Sequence, residues 1–318
     1  MLLPRRLALH HGAALGLVLA TMAGCGGLQA PAAKLTATAT TPAPAPTPAD
    51  LRAGPGHALL LGEVHDNAAQ HALRRDLLAA LLARGDRPAL LLEPFDRERQ
   101  AALDAASQPG ADRSALSPDA GLDARLNARL DAQVDAVVQA GGAGPGWHWP
   151  FYKPYIRLAL AHGLPIVAAN VSRAEARVVM QQGLAATGWQ AAVPADIARR
   201  QAEIIAASHC GQLDAAASAR MALAQVARDQ FMARLVALHA GRGVVLLAGN
   251  GHVRADIGVP RWLSPGLRAR TRAVGALEAG GAADDNHAED ASTYDSVLRT
   301  AAQPRPDPCA GLQMPPRR

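Results

Sequence analysis

Four short apolar runs, each closing on polar residues, most constrain what this chain can fold into. They are HALLL before Gly62, Ala89 to Leu92, Pro165 to Ala169, and Val244 to Ala248. Too short for helices and rich in Leu and Val, they read as strands buried on both faces. Helical periods lie between them. Ala68 to Arg84 carries leucines at 73, 77, 78, 81 and 82 and is stopped by Gly85. Asp119 to Ala140 aligns Leu122, Leu126, Leu130, Val134 and Val137 on one stripe. Further helices are expected from near Asp96, from Tyr155 to His162, over Ala195 to Ala207, and over Leu213 to Ala240 with Met221, Phe231, Leu235 and Leu238 inward. Strands alternating with helices predict right-handed crossovers, hence an α/β fold with a mostly parallel sheet of at least four strands flanked by helices. The long stretches at 119 to 140 and 195 to 240 read as a helical insertion or lid. Thr271 to Glu278 reads as an added edge strand, with no second domain.

Parallel strands bring their carboxyl ends to one edge, so Glu63, His65, Glu93, Asn170, Asn250 and His252 are predicted to line a single cleft. Asp66 or Asn67 is expected to cap the first helix, a task that needs neither Glu63 nor His65. Ser172 and Glu175 have capping-box spacing, so their role is structural. Glu63, His65 and His252, with Glu93, are ligand types for zinc, manganese or iron(II), and a metal there would activate water for hydrolysis. The same residues can equally form a polar cluster that satisfies itself. The GNGH at 249 to 252 lacks the full glycine pattern of a phosphate loop, and neither Ser172 nor Cys210 sits on a nucleophile elbow.

The amino terminus carries Arg5 and Arg6, an apolar stretch from Gly12 to Ala23, and small residues just before Cys25. This is a secretory signal whose end resembles a bacterial lipobox, so residues 1–24 are expected to be removed and Cys25 to carry a lipid such as palmitate. From Cys25 to residue 55 the chain is rich in Ala, Pro and Thr, a composition that tethers rather than folds. Export would leave Cys210 and Cys309 in an oxidising compartment, where they could pair. The net charge of +5 is modest and unclustered, which argues against a nucleic-acid partner. Residues 301–318 read as a Pro- and Arg-rich tail.

Aromatic residues make up only 3% of the chain, yet WHWPFYKPY, from Trp147 to Tyr155, holds half of the four tryptophans and two of the three tyrosines. It also holds Lys153, one of two lysines. A flat cofactor such as haem needs aromatic walls, an axial ligand and cations for its propionates. Tyr152, Tyr155, His148 and Lys153 offer these groups together. A loop whose tryptophans plug the end of the core explains the segment as well.

LLLGEVHDN, LLEPF, WPFYKPY with LPIVAAN, and VVLLAGNGHVRADIGVP, in that order, resemble the ChaN-type haem-binding lipoproteins of Gram-negative bacteria, within the wider Tiki and erythromycin-esterase-like superfamily. The resemblance covers about residues 56 to 263, and the haem-binding domain is expected over 56–300. It implies an outer-membrane lipoprotein in haem or iron uptake, binding a stacked haem pair between two protomers of a homodimer. By the same resemblance, Tyr155 or Tyr152 ligates iron while Lys153 and His148 meet the propionates, with Tyr294 as an alternative ligand. In enzyme relatives, residues at Gly62 to His65 and Gly249 to His252 serve metal-assisted hydrolysis. The alternative function is therefore a metal-dependent periplasmic hydrolase.

Overall fold

Among the described residues six strands form one sheet: β1 (Ala58–Leu61), β2 (Ala89–Asp96), β3 (Ile166–Asn170), β4 (Val244–Leu247), β5 (Thr271–Ala279) and β6 (Ser296–Ala301). Their order is β3-β2-β4-β1-β5-β6 and every pairing is parallel. This computed structural model describes residues 45–108, 122–279, 291–307 and 309–310. The expected signal peptide, Cys25, the tether through residue 44, the acidic stretch at 280–290 and the tail from 311 onward lie outside them.

Alternate strand residues feed two cores. Leu59, Leu61, Leu90, Leu92, Val245 and Leu247 pack on one face with α1 (Ala68–Ala83), α2 (Gln100–Ser107), α3 (Leu122–Ala140) and α4 (Trp149–Ala161). Ala58, Leu60, Leu91, Val244 and Leu246 meet Met232 and Val236 of a long helix on the other. A third cluster joins α5 (Arg173–Gln182), α6 (Ala195–Ser208) and α7 (Ala215–His239) through Val179, Ile197 and Val226. Burying one leucine contributes roughly 1.5–3 kcal/mol. The four-residue strands β1 and β4 are thus held chiefly by side chains buried on both faces. The short helices α8 (Asn250–Val253) and α9 (Pro265–Arg268) lie between β4 and β5.

Several boundaries differ from the sequence expectations. β5 lies inside the sheet between β1 and β6, and β6 forms the edge. β2 continues through Asp96, so the next α-helix starts at Gln100. The segment expected to precede a helix at Tyr155 is itself helical from Trp149, because Pro150 sits in the first turn, where its missing N–H removes no bond. Leu238 points outward at 74% exposure, since Val236, two residues earlier, already faces the sheet. Of the stretches expected to form a lid, α3 and α7 are core layers, while α6 borders the cleft through Gln201 and Ile205 and α7 through Gln225 and Arg228.

Asn67 caps α1 by accepting from the Gln70 amide at 3.1 Å. Ser172 caps α5, but Glu175 does not complete the box: its carboxylate accepts from Trp189 Nε1 at 2.8 Å and pairs with Arg97 at 3.0 Å. A disulfide joins Cys210, just past α6, to Cys309 in the tail. Arg305 also fastens the tail, at 2.6 Å to Asp66 and 2.7 Å to Glu278. Among the described residues no helix is long and apolar enough to cross a membrane.

Candidate functional site

Glu63 leaves the carboxyl end of β1 buried at 3% exposure, and several side chains converge on its carboxylate. His65 Nδ1 lies 2.6 Å from Oε1, and the Tyr152 hydroxyl donates to the same oxygen. Arg74 of α1, fully buried, pairs with Oε2. His71, one turn before Arg74, donates from Nε2 to the His65 carbonyl at 3.1 Å. Burial lowers the His71 imidazole to about 4, which keeps it neutral near neutral pH.

A second charged cluster stands across the cleft. Glu93 of β2 accepts from the Gly249 amide at 2.7 Å and lies 3.5 Å from His252 Nε2. His252 Nδ1 donates to Asp229 of α7 at 2.7 Å, and Gln201 of α6 donates to the other Asp229 oxygen at 3.3 Å. Burial pushes His252 down, but Asp229 and then Glu93 outweigh it and raise the imidazole to about 10. Burial likewise pushes Glu93 up, yet the His252 charge beside it holds the carboxyl at about 2. His252 is therefore an imidazolium between two carboxylates.

Glu63, His65, Glu93, Asn170, Asn250 and His252 all line one cleft of about 890 Å³ over the sheet's carboxyl edge. Two of these residues act structurally. Asn250 donates to the Ala276 carbonyl at 2.7 Å and accepts from its amide at 2.9 Å, bracing the β4 loop on β5. Asn170 accepts from Arg228 Nε at 3.1 Å. Trp147, Arg99, Arg173 and Arg228 also line the cleft. Among the described residues no group of three His, Cys, Asp or Glu converges as a metal site. Glu63 is instead taken up by Arg74 and Tyr152, and His252 by Asp229.

The expected haem ligands point elsewhere. Tyr152 and Tyr155 are 1% and 0% exposed, and the Tyr155 hydroxyl donates to the His71 carbonyl at 2.6 Å. Burial raises both phenols, the Arg74 charge only partly opposing it. Lys153 lies on the outer side of α4, 2.6 Å from Asp135, and His148 is exposed at the helix start against Phe151. Neither borders the cleft. Arg74 escaped the sequence reading and Asp229 was given no site role in it, although Gln70, His71 and Arg74 share the helical spacing of Leu77, Leu78 and Leu81. A polar trio continuing an apolar stripe was the available signal.

The strand order, the crossovers and the ionisable cleft define a doubly wound α/β domain with its site outside the carboxyl ends of the strands. Residues 53–263 match the family described as haem-binding uptake, Tiki superfamily, ChaN, and the chain belongs to that family. Among solved structures it is similar to ChaN of Campylobacter jejuni, described by its cofacial haem binding, at 20% identity and a TM-score of 0.55, over 76% of this chain and 86% of that one. A mutant erythromycin esterase in its open conformation aligns at 14% identity over 70% of each chain, with a TM-score of 0.36. No curated protein matches the chain.

Proposed function

We propose that this chain is an exported, lipid-anchored protein that binds haem in the carboxyl-edge cleft and serves haem or iron uptake at the outer membrane of a Gram-negative bacterium. The observation that carries the reading is the cleft of a haem-binding family member, lined by Trp147, Pro94 and Pro145 and by Arg99, Arg173 and Arg228. Haem offers a flat apolar macrocycle and two carboxylates, which apolar and cationic lining residues suit, and about 890 Å³ lies within the range of small-molecule and cofactor sites. Cofacial haem binding by the Campylobacter jejuni relative supports a stacked pair held between two protomers. The lipobox-like residues before Cys25 support the anchor, and the Cys210–Cys309 disulfide suits an oxidising compartment.

Titrating the purified chain with ferric haem, while following absorption and molecular mass together, is the test. A saturable Soret change with a monomer-to-dimer shift is expected, and the lack of saturable binding removes the reading. Labelled palmitate should enter the wild type but not Cys25→Ser.

A further inference from the structure

We infer that the axial ligand to haem iron in this protein is the imidazole of His65 rather than a tyrosine. The inference rests on haem being the ligand of the cleft, and it specifies how the cleft holds it.

A ligand must present a lone pair to an open space, and the tyrosines do not. Tyr152 is 1% exposed with its hydroxyl on Glu63, and Tyr155 is 0% exposed with its hydroxyl on the His71 carbonyl. Tyr294 is 7% exposed within the apolar cluster on the opposite face of the sheet, its ring against Gly275. Freeing any of these hydroxyls would mean breaking the core.

His65 meets each requirement. Its side chain is 49% exposed and borders the cleft. Nδ1 lies 2.6 Å from Glu63 Oε1, and a carboxylate there fixes the proton on Nδ1, so the Nε2 lone pair is left for a metal. Metal-bound histidines almost always hold the other ring nitrogen against a carboxylate or carbonyl in this way. Glu63 is itself fixed by Arg74 and Tyr152, so the ligand has a rigid support. Trp147 stands edge-on to the imidazole at 4.7 Å between centroids and sets the ring plane. Gly249 keeps the Nε2 edge uncovered, since a Cβ there would sit 3.1 Å from that nitrogen.

The other histidines near the site lack this combination. His252 carries protons on both nitrogens between Asp229 and Glu93, and His71 is buried with Nε2 on a carbonyl. His148 is exposed but lies outside the cleft lining.

The experiment is ferric haem titration of the full chain as wild type, His65→Gly, Glu63→Gln and His148→Ala, read by absorption and electron paramagnetic resonance. The wild type should give a histidine-ligated spectrum, which His65→Gly loses and free imidazole restores. Glu63→Gln should weaken haem affinity by about 10- to 100-fold, as expected for a group supporting a metal ligand, and His148→Ala should leave it unchanged. A tyrosinate spectrum in the wild type, or a spectrum unaltered by His65→Gly, overturns the ligand while haem binding stands. No saturable binding by the wild type overturns the haem reading itself and the ligand with it.

Discussion

Asp229 Oδ1 and His252 Nδ1 stand 2.7 Å apart with Asp229 fully buried, so one charged hydrogen bond ties the long helix α7 to the carboxyl end of β4. Glu93 approaches the other ring nitrogen at 3.5 Å, which makes His252 the cation shared by three elements of the fold.

The first prediction concerns alkaline stability. The folded His252 pKa of about 10 exceeds its ordinary 6.5, so its contribution is complete below about pH 6.5 and is lost as pH rises through about 10. Asp229→Asn should flatten that decline, because less of the raised pKa remains to be lost. It should also destabilise the protein near neutral pH by about 3–5 kcal/mol, the cost of breaking a buried pair. Urea midpoints measured for both proteins across this pH range decide it, and parallel curves would remove His252 as the group responsible.

The second prediction separates two glycines of the same cleft. A Cβ on Gly62 would overlap the Asn250 side-chain oxygen and lie 2.8 Å from Val253 Cγ2. Asn250 is locked to Ala276 and cannot yield, so Gly62→Ala should cost about 1–3 kcal/mol or more by overpacking. Gly249 has φ of −59°, and the atoms nearest its Cβ would belong to the half-exposed His65 and, at 3.7 Å, Glu93. Gly249→Ala should therefore keep its melting temperature and weaken haem binding, a contrast read by thermal denaturation beside haem titration.

These cases show what was legible in the sequence. The strand-end residues were, because parallel strands with polar termini leave one place for Glu63, His65, Glu93 and His252 to meet. The roles of Tyr152 and Tyr155 were not. Their direction depends on the helix starting at Trp149, and a proline-rich segment hides that start. Asp229 and Arg74 were hidden for another reason: each has charged neighbours on its helix, Arg228 and Arg75, and which of them is buried depends on a partner distant in sequence. β6 is a six-residue strand with none of the dense apolar character of the central ones, because it forms the sheet's edge.

The third prediction uses the disulfide. Cys210 and Cys309 are 99 residues apart, and closing a loop of that size restricts the unfolded chain enough to contribute typically about 2–4 kcal/mol. Reductant should lower the wild-type melting temperature and leave a Cys309→Ser variant, already at the lower value, unmoved. Equal sensitivity of both proteins would show that the bond does not carry this stability.

The last prediction tests the support beneath His65. Arg74 is 0% exposed and neutralises the buried Glu63 carboxylate, so Arg74→Ala leaves that charge unpaired and should cost about 3–5 kcal/mol. Arg74→Met restores much of the volume but not the charge, and should still lose most of it. Adding Glu63→Gln to Arg74→Met removes the stranded carboxylate, so the double variant should be more stable than Arg74→Met alone. Guanidinium unfolding of the wild type, both single variants and the double variant gives the coupling directly. If the losses simply add, the two residues do not depend on each other, and Arg74 contributes packing alone.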